Sequence, residues 1–224
     1  MYPLFMIMKL LPLIYRKKIM IEITGTKEII FDSFIELISS LGYENVSMRD
    51  IAEKVGIKVS SIYNHFESKQ KILDCVYEYY SIHYFDNRMP IEEMKELMQK
   101  KSAGEIVRTF ARTYETSDQK KYIRMILITK IVYMRLFQDP VANKMFAEHN
   151  VDDSQYVVDV LRHGIELGRI KPDFDLEAFF DVLIDSYTMM GIKAFAGTAY
   201  RVGQLDVESR LIAMLTRLLE TAII

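Results

Sequence analysis

Apolar side chains recur at helical spacing along almost the whole chain, and this periodicity constrains the fold more than any other feature of the sequence. Between residues 30 and 41 the apolar positions form one stripe of an amphipathic helix: Ile30, Phe34, Leu37, Ile38 and Leu41. Stripes of the same period follow as far as residue 219, and no segment shows the alternation typical of a strand. With only five prolines and nine glycines in 224 residues, the sequence predicts an all-α fold.

A short helix, a tight turn and a second short helix are predicted early in the chain. Ser47 and Asp50 have the spacing of a helix capping box, and the helix that follows should end at Val55. Gly56 tolerates the positive φ of a tight turn. The apolar pattern then resumes over Val59 to Phe66. This order predicts a helix-turn-helix.

Longer helices are predicted for the rest of the chain. Their ranges are about 68–85, 91–101, 104–114, 120–137, 141–167, 175–195 and 207–219. The segment 120–137 is apolar on nearly every side, which predicts a buried helix. The segment 141–167 is expected to break near Asn150-Val151. We predict a helix-turn-helix domain over residues 23–70 and a larger helical domain over 71–224.

The first twenty residues resemble a signal peptide only superficially. Arg16-Lys17-Lys18 follows the apolar stretch, whereas a signal peptide carries its positive charges before it. Pro3, Lys9 and Pro12 interrupt a stretch that is already too short to span a bilayer. We expect translation to start at Met20, in which case residues 1–19 are absent from the native protein, and we place residues 1–22 outside the fold as a leader. A weak membrane anchor and a disordered arm are the alternatives.

Charge and motif content restrict the chemistry. The formal net charge is −2, so contact with nucleic acid would need a local basic face. The sequence contains no glycine-rich nucleotide loop, no His-Glu-x-x-His and no Gly-x-Ser-x-Gly. The four histidines lack metal-ligand spacing, and Cys75 is the only cysteine. We expect a cytoplasmic protein that is not an enzyme, that uses no metal or cofactor and that has no membrane partner.

One region resembles a known family. Residues 56–73 read GIKVSSIYNHFESKQKIL and contain Tyr63-x-His65-Phe66-x-Ser68-Lys69. Together with residues 26–30 and 42–52, this stretch is similar to the N-terminal region of the TetR family of bacterial transcriptional repressors. The resemblance covers about residues 26–75. It implies a three-helix DNA-binding domain followed by a helical domain for ligand binding and dimerisation.

The resemblance also implies roles for particular residues. The second helix of the motif would lie in the major groove of operator DNA, where a single helix reads base edges. The implied phosphate contacts are Ser47, Tyr63, His65 and Lys69, with Lys27 and Lys58 as further neutralising charges. The implied base contacts are Val59, Ser60, Ser61 and Asn64. Val59 and Ser60 stand where the family often has Lys or Arg and Gly, so the operator sequence stays open. Phe66 is interpreted as a core aromatic residue.

Two further sets of residues are predicted in the C-terminal domain. A dimer would place two reading helices about 34–36 Å apart, one turn of DNA. The predicted interface residues on the last two helices are Phe179, Leu183, Met190, Leu211, Leu215 and Leu218, with ordinary core as the alternative. The predicted lining of an adaptable ligand pocket is Met125, Ile128, Tyr133, Met134, Phe137, Tyr156, Tyr187 and Met190. Core packing is again the alternative.

These features predict a dimeric, ligand-responsive transcriptional regulator. We expect a repressor that a small, largely apolar or aromatic effector releases from double-stranded operator DNA. One alternative is an architectural DNA-binding protein of the same fold without an effector. The other is a helical ligand-binding protein that has lost DNA binding.

Overall fold

The computed structural model describes residues 23–86, 88–111, 118–195 and 204–224. The predicted leader, residues 1–22, lies outside this range. The α-helices of the described chain are α1 (Gly25–Leu41), α2 (Met48–Val55), α3 (Val59–Tyr63), α4 (Lys69–His83), α5 (Ile91–Lys100), α6 (Ala103–Ala111), α7 (Gln119–Arg135), α8 (Pro140–Glu166), α9 (Leu176–Phe195) and α10 (Gln204–Glu220). A 3-10 helix spans Tyr43–Asn45, and one isolated β-bridge joins Ile170 to Ile223. The prediction of an all-α fold is confirmed.

The chain divides into two compact units, Met1–His83 and Tyr84–Ile224. The first contains the predicted helix-turn-helix, and the second contains helices α5 to α10. The sequence predicts domains over residues 23–70 and 71–224. These ranges refer to parts that fold independently, and they stay a prediction.

The first unit is organised around α1. Its stripe of Ile30, Phe34 and Ile38 is buried, together with the adjacent Phe31 and Ile35. The residues that the other helices bury in this unit include Ile51 and Ala52 of α2, Ile62 of α3, and Ile72, Leu73 and Val76 of α4. Gly42 ends α1 at a positive φ of 84°, and its N–H donates to the carbonyl of Ile38. The buried stripes therefore leave the opposite faces of α2 and α3 to solvent.

The second unit has its own core. The residues in it with almost no exposed surface include Met94, Ile106, Val107, Val160, Leu161, Phe179, Leu215 and Leu219. After α10 the chain turns back, so that Ile223 bridges Ile170 and the N–H of Lys171 donates to the carbonyl of Ala222 at 2.8 Å. These bonds join residues about 50 positions apart.

Two helix predictions in this unit are wrong. The helix α8 runs unbroken through Asn150-Val151, because asparagine lowers helix propensity only slightly and side chains on both sides, His149 and Val157, pack inward. The helix α7 is not buried all round: Ile123 is 49% exposed and Met134 is 46% exposed. An apolar face shows that contact is favourable, but it does not show that this chain supplies the contact.

Among the described helices, none combines the length and the apolar content needed to cross a membrane.

Candidate nucleic-acid interface

A reciprocal cap fixes the start of α2. The N–H of Asp50 donates to Ser47 Oγ, and the Asp50 carboxylate accepts from both the N–H of Ser47 at 2.6 Å and its hydroxyl at 2.7 Å. These hydrogen bonds hold the pKa of Asp50 below its ordinary value. The predicted capping box is therefore present. The Ser47 hydroxyl already donates inside the protein, and a phosphate contact from this residue stays a prediction.

The turn between α2 and α3 depends on one glycine. Gly56 lies at φ 76° and ψ 31°, in the left-handed region, and its N–H donates to the carbonyl of Ala52 at 2.9 Å. The next helix begins at Val59 without a side-chain cap from Lys58. This is the helix-turn-helix that the spacing predicts.

The reading helix α3 is shorter than predicted. It ends at Tyr63, and not at Phe66, because the N–H of His65 donates to the carbonyl of Ile62 and tightens the chain into a turn. Phe66 is then carried inward and is only 4% exposed, in line with its interpretation as a core residue. Asn64 and His65 lie on the turn that follows the helix.

Most of the residues predicted to contact DNA are at least partly exposed, on α3 or on the segments that flank it. Ile62 is fully buried and anchors the helix, whereas Tyr63 is 52% exposed. The other exposed residues of the set are Ser47, Lys58, Ser60, Asn64 and His65, and Val59 and Ser61 are partly exposed. The structure thus brings these side chains together on a surface that is not covered by the first unit.

Two of the predicted phosphate-neutralising lysines are used inside the protein. Lys69 Nζ donates to the carbonyls of Tyr43 and Val46, each at 2.9 Å, and lies 4.1 Å from the centroid of the Tyr43 ring. Lys27 Nζ lies 5.4 Å from the centroid of the Phe66 ring. Lys69 therefore ties α4 to the turn before α2. Sequence reasoning missed this role, because Tyr43 lies 26 residues earlier.

The positive charge of this surface is local. Lys54 is paired with Glu36 at 2.9 Å and Lys71 with Asp74 at 3.4 Å, which neutralises two of the surrounding cations. Within the described part of the first unit, Arg49 and Lys58 are exposed and form no ion pair with a carboxylate. These two cations flank the turn and are free to meet phosphates.

The structure divides the predicted dimer residues into two groups. Phe179, Leu183 and Leu215 are buried in the core of the second unit, so they have no surface left for a partner, and their assignment is corrected to intramolecular core. Met190, Leu211 and Leu218 are partly exposed. Among the described side chains of α9 and α10, the exposed large apolar residues are Val182, Met189, Ile192 and Met214, and none of them is in the predicted interface.

The predicted pocket residues do not form one lining. Met134 and Phe137 lie at the surface, and Phe137 is 93% exposed because α7 ends two residues before it; both are corrected to surface residues. Met125 and Ile128 are buried. The partly buried residues are Tyr133, Tyr156, Tyr187 and Met190.

Two of these tyrosines lie in aromatic clusters. Tyr133 packs edge-on against Phe146 and Phe195, at 5.7 and 6.0 Å between ring centroids, and burial raises its pKa. Tyr156 packs edge-on against Phe110, and burial raises its pKa to about 12. Both hydroxyls therefore stay protonated at neutral pH. Phe146, Phe195 and Phe110 could not be predicted as neighbours of these tyrosines because each lies on a different helix from its partner.

No group of three or more His, Cys, Asp or Glu side chains in the described part of the chain could hold a metal ion. Burial raises the pKa of the Cys75 thiol, which disfavours the reactive thiolate.

Comparison with known proteins places the helix-turn-helix in a family. Residues 30–76 match the family model for bacterial regulatory proteins of the tetR family. The chain is 40% identical over 57 residues to the biofilm operon icaADBC HTH-type negative transcriptional regulator IcaR of Staphylococcus aureus (strain Newman); the match covers 24% of this chain and 31% of IcaR. The matched segment thus spans about a third of the length of that relative.

Longer similarity links the chain to a second regulator. It is 25% identical over 175 residues, 73% of this chain and 80% of the relative, to the HTH-type transcriptional repressor KstR2 of Mycobacterium tuberculosis. The solved structure of KstR2 superposes with a TM-score of 0.58 at 20% identity, covering 91% of this chain and 97% of that one, which shows a shared fold. Over residues 30–76, in its N-terminal helix-turn-helix, this chain is similar to the tetR family of bacterial regulatory proteins.

Proposed function

We propose that this protein is a dimeric, ligand-responsive transcriptional regulator that represses genes by binding operator DNA through α3. The observation that carries the proposal is the solvent-facing side of α3, where Tyr63 is 52% exposed beside a fully buried Ile62. An α-helix presented in this way fits the major groove of B-DNA. The match to the tetR family over residues 30–76 supports the same function.

The polar groups at the surface of α3 and of the turn that follows it divide into two roles. Ser60, Ser61 and Asn64 offer hydroxyl and amide groups to base edges, and an amide can bond adenine in a bidentate manner. Tyr63 and His65 offer donors to phosphate oxygens at the end of the helix. Val59 offers a methyl surface that suits the thymine methyl group.

Of the charged residues, one contacts a phosphate directly and the others act indirectly. Lys58, exposed at the start of α3, neutralises a phosphate directly. Lys69 acts by positioning, since two of its three N–H bonds already hold the carbonyls of Tyr43 and Val46. Lys27 stays close to the Phe66 ring and contributes to the local potential.

Dimerisation uses the exposed apolar face of α9. Val182 and Met189 lie two helical turns apart, and Ile192 follows on the same side of the helix. Their exposed fractions are 40%, 49% and 39%, which is high for apolar side chains that follow one another along one helix face. Met190, Leu211 and Leu218 contribute their partly exposed surfaces, together with Met214 of α10.

Fluorescence anisotropy with labelled DNA from upstream of the gene tests the proposal. We expect salt-sensitive, sequence-selective binding by the wild-type chain. Tyr63→Phe should weaken binding to all sequences because it removes a phosphate donor, whereas Asn64→Ala should change the preference among sequences. The matched control is Lys100→Ala, which removes an exposed lysine of the second unit and should leave binding unchanged.

The outcomes separate the candidate functions. Absence of binding at low salt contradicts the proposal and favours a helical ligand-binding protein. Binding without sequence preference contradicts it as well and favours an architectural protein. Circular dichroism of each variant checks that it folds, so that a loss of binding reports on the interface.

A further inference from the structure

A buried cation occupies an aromatic and acidic cage in the second unit. The carbon of the Arg88 guanidinium lies 3.7 Å from the centroid of the Phe85 ring and 4.9 Å from that of Tyr156. The same guanidinium is paired with the carboxylate of Asp153, and both side chains are only 15% exposed. Stacking on aromatic faces together with a carboxylate partner is the environment that a guanidinium prefers.

The walls of this cage are held by bonds that do not involve Arg88. The hydroxyl of Tyr84 donates to Asp153 at 3.0 Å, and the Tyr84 ring stacks on His149 with 4.2 Å between centroids. The hydroxyl of Tyr156 donates to the carbonyl of Met89 at 2.9 Å. Because none of these contacts is made by the guanidinium, we expect the cage to keep its shape when the Arg88 side chain moves out.

The negative charge of the Asp153 carboxylate favours a cation in the cage. Burial raises the pKa of Asp153, while the Arg88 charge and the Tyr84 hydroxyl favour its ionised form. A buried carboxylate that loses its cation is strongly unfavourable, so a vacated cage would attract another cation of similar shape.

Arg88 is carried by a segment that lies outside the helices. The described residues 84–86 and 88–90 stand between α4 and α5, and the N–H of Arg88 donates to the carbonyl of Phe85 at 3.0 Å. The cage residues on α8, which are His149, Asp153 and Tyr156, belong to one continuous helix. Arg88, Tyr84 and Phe85 therefore lie on a non-helical segment, whereas the other three cage residues lie on a continuous helix.

We propose that this cage is a binding site for a small alkylguanidinium, which displaces the side chain of Arg88 and acts as the effector. The effector role rests on the proposed function as a regulator. The guanidinium of Arg88 competes with the ligand for the cage. The ligand therefore binds the conformation in which this side chain has moved out. A ligand shifts an equilibrium only by its difference in affinity between two states, and the occupied and vacated cages are those two states.

Calorimetric titration of the full-length chain with ethylguanidinium tests the site. The variant Arg88→Ala retains Cβ, so that ethylguanidinium replaces the atoms that the substitution removes. We expect this variant to bind the probe about tenfold or more tightly than the wild type, since the competing occupant is gone. Adding Asp153→Asn should abolish the gain, and ethylammonium should bind more weakly because it lacks the planar set of donors.

The helix α8, which carries Asp153, also offers a matched control. Arg162 pairs with Asp159 at 2.7 Å, but this pair is more exposed, at 49% and 33%, and none of the described aromatic rings stacks on it. Arg162→Ala should therefore bind ethylguanidinium no more tightly than the wild type does. Equal affinity of the Arg88→Ala and Arg162→Ala variants for ethylguanidinium, or binding that survives Asp153→Asn, overturns the proposal.

The wild-type chain supplies a second measurement should Arg88→Ala fail to fold. In protein labelled with ¹⁵N-arginine, the Nε–H resonance of Arg88 is assigned by its loss in Arg88→Lys. Ethylguanidinium should shift this resonance saturably toward the position of a solvated arginine and leave that of Arg162 in place. Absence of a saturable shift overturns the proposal.

The effector role is tested by a measurement that is separate from ligand binding. Operator binding is measured by anisotropy with and without ethylguanidinium, and we expect the ligand to weaken it about 5-fold to 150-fold. Saturable ligand binding that leaves operator affinity unchanged overturns the effector role. A chain that binds ethylguanidinium but no DNA overturns the proposed function instead, so the two failures are distinguishable.

Discussion

At the scale of single residues, the same type of side chain serves two purposes in the helix-turn-helix. The ammonium of Lys69 is held between two carbonyls and an aromatic ring, whereas that of Lys58 is exposed. Both positions are predicted from the sequence to contact phosphate. Only the contacts of each ammonium group distinguish a residue that shapes the interface from one that meets the DNA.

The salt dependence of DNA binding should separate these two lysines. Lys58→Met should reduce the slope of log K against log salt by about 0.9, because one phosphate contact is lost, and should leave the free energy of unfolding unchanged. Lys69→Met should leave that slope unchanged and lower the free energy of unfolding by about 1–3 kcal/mol. Anisotropy titrations at several salt concentrations and urea unfolding measure the two quantities. A smaller slope for Lys69→Met would mean that Lys69 does meet a phosphate.

His149 should make the stability of the protein depend on pH. Burial, with a smaller contribution from the Arg88 charge, lowers its pKa from the ordinary 6.5 to about 4 in the folded protein. The unfolded chain therefore binds more protons between these values, and stability present above pH 6.5 is lost as the pH falls toward 4. The loss amounts to at most about 3 kcal/mol.

Urea unfolding at pH 7 and pH 5 measures this effect. His149→Phe keeps a ring that can stack on Tyr84, so it should flatten the decline in stability between the two pH values. The exposed contact of His163 with Glu166 provides the control, and His163→Phe should leave the decline in place. An unchanged decline in His149→Phe would show that other groups account for it.

At the scale of elements, α8 combines local signals at its start with a packing requirement that its sequence hides. Asp139 caps its N-terminus and a proline occupies its first position, and both are signals that the local sequence contains. Its packing depends on Gly164, where an added Cβ would lie 2.7 Å from Ile170 Cδ1 and 3.0 Å from Met98 Sδ. The glycine is required by close approach and not by a special backbone conformation.

Two glycine substitutions compare packing with helix propensity. Gly164→Ala should lower the free energy of unfolding by about 1 kcal/mol, since overpacking outweighs the gain in propensity. Gly191→Ala, in α9, meets its nearest neighbour, Tyr133 Cε2, at an ordinary 3.7 Å and should raise it by about 0.5–1 kcal/mol. Chemical denaturation of both variants provides the measurement. Stabilisation by Gly164→Ala would show that Ile170 and Met98 move aside at little cost.

At the scale of the whole molecule, the apolar surface of the second unit exceeds what its own core covers. Val182, Met189 and Ile192 on α9 remain exposed, although Phe179 and Leu183 on the same helix are buried. One helix therefore has two apolar faces, one of which packs inside the chain. The proposed dimer accounts for the other.

Charge substitutions on this face should dissociate the dimer. Val182→Glu combined with Met189→Glu should raise the dissociation constant of the dimer about a hundredfold or more, because each change places a charge in an apolar contact. Both side chains are exposed in the single chain, so the monomer should stay folded. Sedimentation velocity gives the oligomeric state. Phe137→Glu, at a residue that is 93% exposed, is the control, and dissociation by that variant alone would relocate the interface to the end of α7.

The sequence alone determined the features that depend on near neighbours in the chain. Helical periodicity, the capping box at Ser47 and the turn at Gly56 are local, and the structure contains them as predicted. Tertiary structure decided what covers each apolar face and what each charge contacts. An apolar stripe has the same pattern whether its partner is another helix, as for Phe179, or solvent, as for Val182. Likewise Lys69 and Arg88 find partners 23 to 68 residues away, and only the folded chain brings these groups together.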